Sequence, residues 1–160
     1  MNGTGENAFE PLSATSRAMI VTMLWRMEGS PQVDEEMTFK DVPDGQWYTD
    51  AVRWAAKNEI VNGYSEEVFG PTDDFTREQI VTILYRYTQF KGIDVSKGET
   101  SYLNDYTDAR DISEWAVKAF RWSVDAGIIK GMSETTLSPK SDAVRAQVAT
   151  MLMRYGSMVA

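Results

Sequence analysis

The residues that could do chemistry in this sequence are few in kind. Its 160 residues include no Cys and no His. That removes thiolate nucleophiles, disulfide frameworks, the usual zinc ligand sets and every Ser-His-Asp or Cys-His arrangement. The 24 acidic residues are raw material for glycoside hydrolysis, but no spacing in the chain fixes two carboxylates at catalytic separation. The stretch from Asp41 to Asp50 hints at a calcium loop, yet Pro43 falls on its third position and Val52, not Glu, on its twelfth, so an EF-hand reading fails. No enzyme, metal or cofactor is expected. What recurs instead is arginine: Arg17 in Ser-Arg-Ala-Met, Arg77 in Thr-Arg-Glu-Gln and Arg145 in Val-Arg-Ala-Gln, each followed nine residues later by another, Arg26, Arg86 and Arg154.

These arginines sit in repeats. The segment from Pro71 to Thr88 superimposes without gaps on that from Pro11 to Glu28, with 7 of 18 positions identical at an offset of 60 residues. The segment from Pro139 to Gly156 matches it at 8 of 18 positions at an offset of 68. A front half repeats as well: Phe39-Lys-Asp-Val, Trp47, Ala51, Trp54, Ile60 and Gly63 are echoed by Tyr106-Thr-Asp-Ala, Trp115, Ala119, Trp122, Ile128 and Gly131. The first repeat lacks this front half, because Met1-Asn2-Gly3 aligns with Val61-Asn62-Gly63. Self-similarity at such a period points to stacked supersecondary units. The chain divides into the back half of a first repeat at 1–30, a second repeat at 39–90 and a third at 102–157.

Two helices position the recurring residues in each repeat. Trp47, Ala51 and Trp54, like Trp115, Ala119 and Trp122, fall at i, i+4 and i+7, a helical period. In the second helix Ile80, Ile83, Leu84 and Tyr87 form the apolar stripe, matched by Val148, Met151, Leu152 and Tyr155 and by Ile20, Met23, Leu24 and Met27. The pattern predicts five helices near 15–29, 47–58, 76–90, 113–126 and 144–156. Thr76 and Gln79 fit a capping box; Ser16 can cap the first helix and Val144 cannot cap the last. The joining segment from Gly63 to Pro71 reads as a turn, with Val68-Phe69 as a very short strand. Polar connectors at 29–38 and 91–101 mark the unit boundaries.

Composition bounds the partners. With 42% hydrophobic residues the chain can form a core, and a net charge of −8 argues against nucleic acid. No apolar run approaches the roughly 18–20 residues of a membrane span. No signal peptide is visible, so export would rely on a segment upstream of Met1.

With FKDV, WYTDAVRWA, IVNGY, FGP and FTREQIVTILYRY standing in this order, the sequence resembles the S-layer homology domain family over nearly its whole length. The family's threonine-arginine-alanine-glutamate signature keeps only its Arg in all three repeats. The resemblance implies an all-α fold: tandem two-helix repeats set with pseudo-threefold symmetry around a central helical bundle, with minimal strand. It also implies a module of the bacterial cell envelope, extracellular, whose grooves hold a secondary cell-wall polymer bearing a pyruvylated saccharide. The family's groove contacts fall on Asp41, Trp47, Gly63 and Arg77; on Asp108, Trp115, Gly131 and Arg145; and incompletely on Gly3 and Arg17.

The chemistry of such a groove is coherent. A planar guanidinium holds a carboxylate through two parallel charge-assisted bonds, a helix N-terminus favours an anion, an aromatic face suits the C–H side of a sugar, and Gly admits close approach. Each residue also has an ordinary structural reading: ion pairs for the arginines, core burial for Trp47 and Trp115, and turn capping for Asp41 and Asp108. Arg26, Arg86 and Arg154 read as structural. The rival function is a helical protein-interaction module that kept the fold and lost polymer binding. The incomplete first repeat should leave the stripe of Ile20, Met23, Leu24 and Met27 less covered than its counterparts, unless self-association covers it.

Overall fold

A computed structural model describes residues 10–98 and 102–159 of the chain. Five α-helices carry it: α1 Arg17–Met27, α2 Thr49–Lys57, α3 Arg77–Phe90, α4 Val117–Asp125 and α5 Arg145–Val159. Each lies where the apolar period places one, and among the described residues there is no strand, only three isolated bridges. The fold is all-α. Val68-Phe69 is therefore not a strand: the N–H groups of Phe69 and Gly70 go to the Asp41 carboxylate at 2.8 and 2.7 Å, so a side chain takes the place of a partner strand.

The helix ends follow local chemistry. Thr76 and Gln79 form the full capping box of α3, and the Ser16 side chain accepts from the Met19 N–H at the start of α1. Val144 cannot cap, but its own N–H still donates to Gln147 Oε1 at 3.4 Å, the reciprocal half of the box. The front-half helices start later than the period suggests. Trp47 precedes α2, and Trp115 lies in a single 3₁₀ turn, Glu114–Ala116, ahead of α4. After α4 the chain leaves through Gly127 at φ 69°, whereas the corresponding residue after α2 is Glu59, at φ 57°.

The chain forms two compact units, one of Thr15–Asp74 and one of the segment ending at Ala14 together with the chain from Phe75 onward. In the first, α1 packs on α2, burying Ile20, Val21 and Leu24 and, from the front half, Val52, Trp54, Ile60 and Phe69. In the second, α3 packs on α4, with the Tyr85 and Trp122 rings edge to face at 5.6 Å and Tyr87 against Tyr155 at 5.5 Å. Burial of such aromatics supplies much of the cohesion of each core. Ile20 and Leu24 are as buried as their counterparts; the first helix is less covered at Met23, half-buried where Ile83 and Met151 are buried, and at Met27, 49% exposed against 2% for Tyr87 and 1% for Tyr155.

Candidate functional site

The site is built around the turn that ends each front half. In the unit Thr15–Asp74, Asp41 grips the turn at Phe69-Gly70 with both oxygens. In the other unit Asp108 does the same: Oδ1 accepts from the Leu137 N–H at 2.9 Å and Oδ2 from the Ser138 N–H at 2.7 Å. These aspartates thus close a loop 28–30 residues away rather than the turn next to them. Their negative charge is fixed where the arginine arrives.

The proline that follows each turn receives the start of a helix. The Arg17 and Ala18 N–H groups donate to the carbonyls of Asp73 and Pro71, those of Arg77 and Glu78 to Ser141 and Pro139, and those of Arg145 and Ala146 to Ser13 and Pro11, all at 2.9–3.0 Å. Orphan N–H groups of three helix N-termini are satisfied in one pattern. The arginine beside each front half is consequently supplied by the preceding repeat. Arg17, not Arg77, stands at Asp41 and the loop of Gly63; Arg77, not Arg145, stands at Asp108 and Gly131. Repeat-wise grouping of the sequence pairs them one repeat out of step.

Arg17 is 5% exposed. Its Nε donates to Phe69 O at 2.7 Å and its Nη2 to Asn62 O at 2.8 Å, while the guanidinium carbon lies 4.5 Å from the Tyr64 ring centroid and 4.6 Å from that of Phe69. Cation–π contact offsets part of the cost of taking the charge out of water. Burial lowers its pKa, against the raising influence of Tyr64, Asp73 and Asp41.

Arg77 is buried more deeply and satisfied less well. It is 2% exposed, its Nε donates to Leu137 O at 2.8 Å, and its buried Nη2 has no hydrogen-bond partner among the described residues. Burial lowers its pKa, and Asp108 alone opposes that. A guanidinium nitrogen kept from water without an acceptor is costly and is rare in folded proteins. Arg77 lines a cavity of about 170 Å³ together with Lys130, Gly131, Gln147 and Arg154. Three cationic side chains therefore border one small space alongside α5. Arg154, read from sequence as structural, belongs to this wall; it also donates to Ile128 O at 3.3 Å.

The other candidates divide by exposure. Trp47 and Trp115 are 54% and 56% exposed, while Trp54 and Trp122 are buried, so the first pair does not open the apolar stripe and offers its rings to solvent. Ser113, just before Trp115, is held by Glu78, whose carboxylate accepts from its N–H at 3.0 Å and its Oγ at 3.1 Å and pairs with Lys140 at 2.7 Å. Gly63 and Gly131 are needed by their own loops: a Cβ on Gly131 would stand 2.7 Å from Thr136 O, and one on Gly63 2.5 Å from both Phe39 and Val68 O. Arg145 is buried at the start of α5. Gly3 lies outside the described residues.

The profile of the S-layer homology domain matches residues 38–81 and 105–149, one stretch in the second repeat and one in the third. The chain is 28% identical over 156 residues, 98% of its length, to exoglucanase XynX of Acetivibrio thermocellus, of which this covers 14%. It is 28% identical over 157 residues to the surface-layer 125 kDa protein of Lysinibacillus sphaericus, 96% of this chain and 13% of that one. It is 27% identical over 167 residues to the cellulosome-anchoring protein of A. thermocellus, 95% of this chain and 36% of that one. The chain thus spans well under two thirds of each of these relatives.

Proposed function

The chain belongs to the S-layer homology domain family, and from that premise we propose that it is a non-catalytic anchoring module that binds a secondary cell-wall polymer bearing pyruvylated sugar. Its relatives include surface-layer and cell-surface proteins, and its place is outside the cell, at the wall. The glucanase names among the relatives belong to proteins that share only a small part of their length with this chain; the module would hold such a parent at the surface.

The observation that carries the polymer reading is Arg77. Among the described residues a buried guanidinium nitrogen lacks an acceptor beside a cavity that Lys130 and Arg154 also line, and a pyruvyl carboxylate would supply the missing acceptor through a charge-assisted bond. Affinity would come from this local pocket, because a net charge of −8 gives no long-range pull on an anionic polymer. The exposed rings of Trp115 and Trp47 would stack on neighbouring sugar faces.

Sedimentation with purified sacculi, before and after chemical removal of the secondary polymer, tests the reading. The chain should pellet with intact sacculi and stay in solution with stripped ones. Arg77→Lys keeps the charge but loses the planar fork, and Trp115→Ala loses the ring; each should weaken binding at least about tenfold, Trp115→Ala with little change in Tm because the ring is exposed, Arg77→Lys with a lower Tm because the buried Nε bond to Leu137 O goes with the fork. Equal pelleting with both kinds of sacculi would refute polymer binding and favour a protein-interaction module.

A further inference from the structure

The two arginine pockets share one backbone plan and differ in what fills them. Around Arg77 the positions of Tyr64, Phe69, Gly70 and Asp73 are taken by Met132, Leu137, Ser138 and Ser141. Arg17 therefore has two ring faces, two carbonyl acceptors and the fields of two carboxylates, Asp73 and Asp41. Arg77 has one carbonyl, one carboxylate and an unsatisfied Nη2.

The substitutions act together. Gly70 stands at φ 71°, and a Cβ there would come within 2.6 Å of Tyr64 Cε2, so glycine at this position makes room for the Tyr64 ring to lie over the arginine. Ser138, at the same place in the other unit, carries a side chain at φ 51°, and Met132 replaces the ring. Tyr64 itself is 55% exposed; its backbone is pinned by the N–H bond to Val68 O at 2.7 Å, while its ring rests at the surface. Arg17 holds this side chain by stacking on the ring and by a hydrogen bond with it, and a cover held by one cation is one that a competing anion can displace.

We propose that Tyr64 is a built-in lid that closes the Arg17 pocket to anionic ligands, while the Arg77 pocket, with Met132 in the place of the ring, keeps an unfilled acceptor position. The lid sets which arginine meets a carboxylate. It rests on the polymer reading given above for Arg77, and it adds that the module engages its ligand unequally at two sites of the same design. Removing the ring while keeping a flexible side chain should convert the Arg17 pocket to the state of its counterpart.

Isothermal titration with a purified pyruvylated polymer fragment tests this on the whole chain as wild type, Tyr64→Phe, Tyr64→Met and Tyr64→Met/Arg17→Lys, with circular dichroism confirming the fold of each. Tyr64→Met should bind one more equivalent of fragment than wild type, Tyr64→Phe should match wild type, and the double variant should lose the added equivalent. Equal stoichiometry in wild type and Tyr64→Met, with both binding, overturns the lid and leaves the polymer reading standing. An added equivalent that survives Arg17→Lys also overturns it. Absence of heat in every variant overturns the polymer reading, and the lid with it.

Discussion

Asp108→Ala removes the clamp on which the Arg77 pocket is built. The carboxylate accepts from the N–H groups of Leu137 and Ser138, and Leu137 is fully buried, so that donor has little access to water once the acceptor is gone. Two charge-assisted bonds at about 1.5–3 kcal/mol each put the cost at roughly 3–6 kcal/mol. The loss of the one carboxylate that offsets the burial of Arg77 adds to it. For a chain of this length each kcal/mol is worth roughly 2–4 °C in Tm, which predicts a fall of roughly 6–24 °C. Thermal unfolding followed by circular dichroism measures it, with Asp142→Ala, at an exposed position, as the control. A fall no larger than that of the control would mean that the turn stands without its aspartate, and the account of the pocket's construction would be wrong.

Gly131→Ala places a Cβ 2.7 Å from Thr136 O and should cost about 1–3 kcal/mol, seen as a lower urea midpoint; an unchanged midpoint would contradict the close approach. Glu59, the non-glycine residue at φ 57° after α2, occupies the place of Gly127 after α4; Glu59→Gly relieves left-handed strain of about 1–2 kcal/mol and gives back part of it as unfolded-chain entropy. A rise of roughly 1–4 °C in Tm is expected, and a fall would show that Glu59 makes compensating contacts.

Much of the architecture was legible before any coordinates. The i, i+4, i+7 spacing of Trp47, Ala51 and Trp54 requires a helix to bury its stripe, and Thr76 with Gln79 marks the start of α3, because these are local effects of period and capping. Trp47 and Trp115 were harder to read: as the first residues of the stripe they look like core, and only the late start of α2 and the 3₁₀ turn before α4 leave them at the surface.

The sequence by itself determined the repeats, the five helices and the identity of the recurring arginines. Tertiary structure decided which arginine joins which aspartate. Repetition aligns Arg77 with the front half of its own repeat, but the proline turns of the second and third repeats accept the helix start of the repeat before, through bonds such as Arg77 N–H to Ser141 O. Offset and identity in a repeat carry no information about which copy packs on which, since all copies present the same surfaces. Only the closing of those hydrogen bonds, together with the difference between Tyr64 over Arg17 and Met132 beside Arg77, makes the pockets what they are.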